Sequence, residues 1–508
     1  MNKSVVIFAI GNILLVLAGC MFVPLLVSLA DPPEARGDEV MAFGLTLITT
    51  ALTGFALRAS TRRRRHDIGH TEGFAIVSLG WATVAAFGCL PFLIYGTCSS
   101  FIDAYFETIS GFTTTGATIL TDVEALPKGL LFWRSFSHWL GGMGIVLLAV
   151  AILPALGAGG AQLFKAEVPG IAGERLTPRI AETAKMLWKV YLLLTLLEIL
   201  ALMLGPMDLF DAACHTFGTM ATGGFSTKNA SIGHYDSAYV DWVLIVFMFL
   251  AGCNFVLHFH LLAGRFRIVH RNGELRFYLG LLLAVTALLT LFLALSPSEA
   301  FRDGQRDASY DSLETTIRHA SFQAVSIVTT TGYGTADFDA WPDFCRLLLL
   351  VMMFVGGCSG STGGSMKVGR VMVLFKFGLR EIWRIIRPHA VYPIRLEGKA
   401  VEPTLVDNVV GFLLLFVTIF VVGTLAVLVV ESVAQPADVE DPIDLVTAAS
   451  SVAATLGNIG PGLGAVGPME NFAWFSQPTK ALLCLLMLLG RLELYCVLVL
   501  FAPRVWRS

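Results

Sequence analysis

The sequence predicts an all-α polytopic membrane protein of four similar units, each a span, a short re-entrant helix and a second span, set around one axis, plus two N-terminal spans. Three observations carry this. Of the 508 residues, 55% are hydrophobic and 14% charged, with a mean hydropathy of +0.72, whereas soluble globular chains carry about 25% charged residues. Ten apolar runs suit a hydrocarbon core about 30 Å thick, which takes ~20 helical residues to cross. Short turns of Gly, Thr and Ser recur between consecutive runs.

Residues 5–29 and 40–57 form the N-terminal spans. The first is long and lacks the small-residue cleavage site of a secretory signal. Spans 74–96 and 131–154 flank the first turn, 186–205 and 240–263 the second, 275–296 and 344–375 the third, and 409–431 and 480–502 the fourth. Within 344–375 the run is broken. The chain therefore divides into 1–70, 71–160, 161–272, 273–399 and 400–508.

Alternate loops are basic. They hold Arg58 with Arg62 to Arg65, then Arg175 and Arg179, then Arg265, Arg267, Arg271 and Arg276, then Arg380, Arg384, Arg387, Arg395 and Lys399. The intervening loops are acidic, as at Asp31, Glu34, Asp38 and Glu39, or at Glu431, Asp438, Glu440, Asp441 and Asp444. Basic loops stay in the cytoplasm, so both termini are expected there. A net charge of −3 suggests no nucleic-acid partner, and nine cysteines without a CxxC pair indicate neither a disulfide framework nor a zinc site.

The clearest turn is TTTGYG, Thr329 to Gly334; its counterparts are TTTGAT at 113–118, MATGGF at 220–225 and ATLGNI at 454–459. Aligned on Gly116, Gly223, Gly332 and Gly457, they lie 107, 109 and 125 residues apart. Upstream, FIDAYFETISGFTTTG aligns without a gap to IRHASFQAVSIVTTTG and to PIDLVTAASSVAATLG, placing Asp103, His319 and Asp444 each 13 residues before the glycine. LFDAACHTFGTMATGG fits with one deletion, Asp211 lying 12 before Gly223. Each segment is about three helical turns, too short to span, with a polar residue near its start. We expect pore helices entered from outside, whose partially negative C-terminal ends favour a cation on the axis.

Glycine at the shared position permits a turn that points carbonyls inward. The two preceding residues then supply carbonyl rings: Thr114 and Thr115, Ala221 and Thr222, Thr330 and Thr331, Thr455 and Leu456. Their side chains vary while the glycine recurs, as backbone coordination tolerates. Such loops replace the hydration shell of K⁺ in channel filters. Ala117, Gly224 and Asn458 stand where the third turn has Tyr333, which predicts a less rigid filter that selects K⁺ over Na⁺ only moderately.

The second spans carry Gly142, Gly252, Gly357 and Gly490 at matching places, where close helix packing is also a sufficient reason for glycine. The break in the third is GGCSGSTGGSMKVG, 356–369, with six glycines and three serines. Irregular backbone at membrane depth persists only when buried in protein or lining water. Gly356, Gly357, Gly360, Gly363 and Gly364 are therefore expected to form a plug or gate under the turns, with Lys367 and Arg370 on its cytoplasmic side. A phosphate-cradling loop is the competing reading, but no strand precedes it and no Walker lysine pattern fits.

Arg491 in LLGRLELY is a charge in mid-span, where insertion costs about 2.5 to 3.5 kcal/mol. Its register matches Met143, Cys253 and Cys358 of the other units, which points it at the axis below the turns. Pairing with Glu493 is the structural alternative, although a residue two positions on lies on another helix face. Glu107 and Glu198 are candidates for an ion or proton relay or for buried hydrogen bonding; His215, His234, His258 and His260 show no metal-ligand spacing.

On these marks the chain resembles the TrkH/TrkG/KtrB family of potassium uptake proteins over about residues 1–503. The four turns, the glycine-rich break and the GRLE arginine carry the resemblance, and the two extra spans match the TrkH type. It implies K⁺ uptake across the bacterial inner membrane, with K⁺ as cargo and filter ion, a gate at Gly356 to Gly364, and Arg491 helping to close the path. It also implies a homodimer with one pore per subunit and a cytoplasmic TrkA-type partner binding NAD or ATP. Cytoplasmic stretches here reach only about 30 residues, so nucleotide control is expected from that other chain, docked on 376–399, and membrane lipid is the remaining partner. No enzymatic activity is expected. The alternatives are a Na⁺-carrying or Na⁺/H⁺-coupled relative and a polytopic membrane enzyme using His215, His234 or His258, which lacks a convergent acid, base or metal set.

Overall fold

Backbone polar groups in lipid must be satisfied within their own segment, so each long apolar run closes into a helix. The computed structural model describes residues 2–31, 33–61, 70–144, 180–301, 310, 312–390, 392–396, 399–434 and 443–503. The N-terminal spans are α1 (Lys3–Ser28) and α2 (Pro33–Ser60). The first unit is α3 (His70–Gly88) continued by α4 (Leu90–Tyr95), re-entrant α5 (Phe101–Phe112) and α6 (Lys128–Gly142). The second is α7 (Ile180–Met203), re-entrant α8 (Leu209–Ala221), α9 (Ala238–Ala251) and α10 (Phe255–Leu262), with α11 (Phe266–Arg271) leading out. The third is α12 (Gly273–Leu295), re-entrant α13 (Leu313–Val328), α14 (Asp343–Met352) and α15 (Val368–Ile386), followed by a hairpin pairing Arg395–Leu396 with Lys399–Ala400. The fourth is α16 (Pro403–Ala434), re-entrant α17 (Leu445–Leu456), α18 (Gln477–Arg491) and α19 (Tyr495–Leu498). The basic residues Arg62 to Arg65, Arg175 and Arg179, the acids Asp438, Glu440 and Asp441, and the unit boundary at 160 lie outside the described residues.

Among the described residues, six helices are long and apolar enough to cross a membrane: α1, α2, α3 with α4, α7, α12 and α16. The second spans differ from expectation. The break in the third unit is present between α14 and α15, but α9 and α10 also meet at 101° and α18 and α19 at 114°. Interruption is thus shared by units two, three and four. Second-span ends pack against re-entrant helix termini. A Cβ on Gly490 would lie 2.1 Å from the Leu456 oxygen, and one on Gly141 2.0 Å from that of Phe112.

The re-entrant helices are the packing centre. From Phe106, Ala320 and Thr447 onward, α5, α13 and α17 are buried almost without interruption, whereas outer spans expose Leu52, Leu204, Leu295 and Val433. Their polar starts are caps. Ser100, Asp208 and Asp444 accept the N–H three residues on at 3.1, 2.7 and 2.8 Å, each worth about 1 kcal/mol. The cap therefore precedes Asp103 and Asp211 by three residues, and α13 starts at Ser312 rather than near His319.

Candidate ion-binding turns and the loop beneath them

All four re-entrant helices end alike. A left-handed residue follows each: Thr114 (φ 51°), Thr222 (55°), Thr330 (63°) and Asn458 (54°). Its N–H returns to the carbonyl three residues back, at 3.0–3.2 Å, onto Gly111, Thr219, Ile327 and Thr455. The next N–H reaches five residues back: Thr115 to Ser110, Gly223 to Gly218, Thr331 to Ser326 and Ile459 to Ala454, at 2.8–2.9 Å. This is a Schellman end. Two residues beyond the first left-handed residue stands a left-handed glycine: Gly116 (83°), Gly224 (79°), Gly332 (81°) and Gly460 (104°).

The register read from glycine alone therefore holds in units one and three and slips elsewhere. The turn glycine is Gly224 rather than Gly223, and Gly460 rather than Gly457, which sits at φ −81° as the cap of α17. Ala221, Thr455 and Leu456 belong to helix ends, and the equivalents of Thr114 and Thr115 are Thr222 with Gly223 and Asn458 with Ile459. Tyr333 corresponds to Ala117, Phe225 and Pro461. A left-handed β-branched residue costs roughly 1–3 kcal/mol, so Thr114, Thr222 and Thr330 are held by their surroundings.

The turns close a ring. A Cβ on Gly116 would lie 2.1 Å from the oxygen of Gly223, one on Gly224 2.0 Å from Thr331, one on Gly332 1.9 Å from Ile459, and one on Gly460 2.8 Å from Thr115. Each unit's glycine thus faces the next unit's carbonyl, and the fourth returns to the first. The loops above are sewn in the same order. The Asn229 amide donates to Asp122 at 2.9 Å and holds its carboxyl below the usual range. Gly233 donates to the Gly334 carbonyl at 3.1 Å, Gly464 to Asp339 at 3.0 Å and Phe472 to the Thr118 carbonyl at 2.8 Å. All four turn glycines line an outer depression with Lys228 and Glu470.

Behind the turns lie buried polar anchors. Arg134 contacts Glu107 at 2.5 Å, donates to the Ser226 carbonyl at 2.8 Å and stacks 3.7 Å from the Phe225 ring. Glu107 also accepts from Thr118 and the Ile119 N–H, each at 3.0 Å, which gives this acid a structural part. Arg318 pairs with Asp241 across units two and three, and Lys480 with Asp103 at 2.8 Å across four and one. The Tyr333 hydroxyl donates to the His215 carbonyl at 2.8 Å. His138 bonds Gly111 and Phe225, a link that no spacing or motif in the sequence signals. Glu198 is buried on α7. His215 and His258 are engaged by backbone carbonyls, and no group of three metal-ligating side chains occurs among the described residues.

The glycine-rich loop lies directly beneath. A Cβ on Gly364 would lie 2.4 Å from the Gly457 oxygen and one on Gly363 2.9 Å from that of Thr329, while the Gly364 N–H donates to Thr330 Oγ1 at 2.7 Å. Gly356 and Gly360 are left-handed, as are Ser365 and Lys367. Gly357 abuts Gly252, and Ser359 donates to Glu274 at 2.7 Å. Lys367 reaches the Gly363 carbonyl. Arg491 donates to the carbonyls of Thr362 and Gly141 at 2.7 Å and Gly142 at 3.1 Å, in a cavity these residues line with Lys367 and Glu493. Glu493, the alternative partner, pairs with Arg370, whose guanidinium lies over the Phe412 ring.

The family model TrkH, described as a cation transport protein, matches residues 39–508. The Trk system potassium uptake protein TrkH of Salmonella typhimurium is 41% identical over 98% of each chain, and that of Halomonas elongata 39% over 100% of each. The Trk system potassium uptake protein TrkG of Escherichia coli is 35% identical over 93% of each. The crystal structure of the potassium transporter TrkH from Vibrio parahaemolyticus superposes with a TM-score of 0.84 at 38% identity, covering 100% of both chains.

Proposed function

The chain belongs to the TrkH family of cation transport proteins, and from that premise we propose that it is the membrane-spanning translocation subunit of a Trk-type potassium uptake system. One observation carries the reading: a closed ring of four backbone turns between an outer depression and an inner cavity. Four helix C-termini, each carrying about half a negative charge, end at this ring and favour a cation. Carbonyls at Thr114, Thr115, Thr222, Gly223, Thr330, Thr331, Asn458 and Ile459 then replace the hydration shell of K⁺. The unequal side chains around the ring support moderate rather than strict exclusion of Na⁺.

The gate in this reading is the loop Gly356 to Gly364, with Lys367 and Arg491 bound to its carbonyls. An inside-negative potential supplies about 2.3 kcal/mol per charge per 100 mV, roughly fiftyfold accumulation, so a passive gated path sustains uptake. Alternating basic loops favour cytoplasmic termini, and the likeness to bacterial Trk proteins favours the bacterial inner membrane. Family likeness favours a homodimer and a TrkA-type NAD- or ATP-binding partner. For that partner, α15 offers Arg380 and Arg384 beside exposed Leu379, Ile382 and Trp383.

Growth of a potassium-uptake-deficient bacterium on low K⁺ tests the proposal. With a TrkA-type partner supplied, the chain restores growth and Gly332→Asp does not. No rescue by the unaltered chain, with the protein in the membrane, would count against transport.

A further inference from the structure

The four turns are not braced alike. In unit one the hydroxyls of Thr113 and Thr115 bond at 2.8 Å, and in unit three those of Thr329 and Thr331 do the same at 2.8 Å. In unit four the Asn458 amide reaches Thr115 Oγ1 at 3.0 Å and the Met487 carbonyl at 2.9 Å. Unit two has Ala221 and Gly223 at the places of the paired threonines, so no hydroxyl pair is possible there. Its turn also contains two adjacent glycines, Gly223 and Gly224, the least restrained backbone of the four.

A histidine from another unit stands in that gap. His138 on α6 is fully buried, with Nδ1 2.7 Å from the Gly111 carbonyl of α5 and Nε2 3.3 Å from the Phe225 N–H. A carbonyl only accepts and an N–H only donates, so Nδ1 carries the proton and Nε2 the lone pair. Both nitrogens of a neutral ring are thereby committed, one to pore helix one and one to turn two. The ring also lies 4.1 Å from that of Phe225, and a Cβ on Gly223 would meet three imidazole atoms at 2.5 to 2.7 Å. Four residues before Gly252, Gly357 and Gly490 the other units have Met248, Met353 and Leu486, which lack this donor and acceptor pair.

We propose that His138 is the positioning residue of the second turn and sets how well the path distinguishes K⁺ from Na⁺. The assignment rests on reading the four turns as the filter. Its physical content is that the Gly223 carbonyl, which packs against Gly116 in the ring, lacks the hydroxyl brace of turns one and three and is held in addition by the imidazole packed on Gly223 and bonded to the Phe225 N–H. Without that support the carbonyl shifts and tolerates the smaller ion. His138 itself touches no ion.

The test is competitive uptake of K⁺ and Na⁺ by the full chain in vesicles with its regulatory partner, for His138→Met and His138→Gln. Methionine keeps bulk but has no strong acceptor, so the K⁺/Na⁺ uptake ratio falls about fivefold, with KM for K⁺ raised and maximal flux little changed, as one hydrogen bond is worth. Glutamine offers its amide oxygen to the Phe225 N–H and keeps the ratio near that of the unaltered chain. A merely space-filling histidine would give the reverse order or no change in ratio, and either result overturns the proposal. If His138→Met does not accumulate in the membrane, a fivefold fall in His138→Gln, which retains the acceptor, overturns it equally. Gly332→Ala, inside the ring, separates the two levels. Altered K⁺ or Na⁺ uptake there with an unaffected His138→Met defeats only the histidine assignment, whereas unchanged uptake in Gly332→Ala defeats the filter reading.

Discussion

Arg491 and Thr362 are joined by a 2.7 Å hydrogen bond from guanidinium to carbonyl, and the same side chain donates to Gly141 and Gly142. One cation of unit four therefore ties the loop of unit three to the span end of unit one, beneath the ring. Arg491→Ala removes these charge-assisted bonds, each worth about 1.5–3 kcal/mol, so K⁺ flux should rise about tenfold or more. Vesicle flux checks it, with a thermal melt to confirm folding. A folded variant with unaltered flux would remove the arginine from the closing mechanism.

Shortening the loop tests the same account from the other side. Deleting part of 358–364 withdraws the backbone that Gly363 and Gly364 place against Thr329 and Gly457. Flux should rise and respond less to a TrkA-type partner when one is supplied. Unchanged flux and unchanged dependence would mean that the loop only packs.

Glu107 and Arg134 give a stability prediction. Both are buried, and Arg134 also supports turn two through the Ser226 carbonyl. Glu107→Gln leaves the guanidinium without its counter-charge and is expected to destabilise by about 3–5 kcal/mol. The unfolding midpoint in detergent reports it, and a shift of less than a degree would show that water or relaxation supplies what the carboxylate does.

The spans and the fourfold repeat were legible because hydropathy and length are strong signals in lipid. So was Arg491, because a charge in an apolar run is conspicuous. The register of turns two and four was not. The left-handed residue that ends each pore helix is Thr114, Thr222, Thr330 or Asn458, not glycine, so matching the first glycine set Gly223 and Gly457 in the wrong place. The breaks at Gly252–Asn254 and Leu492–Leu494 were hidden for another reason. Their residues are mostly apolar or small, so local composition does not announce the end of the helix. His138 carried no pattern at all, since its partners Gly111 and Phe225 lie 27 and 87 residues away.

The central claim, that four unequal backbone turns form a moderately selective K⁺ path, is tested most directly by Rb⁺ and Na⁺ flux measured side by side in vesicles with a TrkA-type partner. Rb⁺ should enter readily and Na⁺ measurably but more slowly, with both abolished by Gly332→Asp, whose side chain would enter the ring where a Cβ already lies 1.9 Å from the Ile459 oxygen. Na⁺ exclusion as strict as in a symmetric K⁺ channel, or undiminished flux in Gly332→Asp, would contradict it.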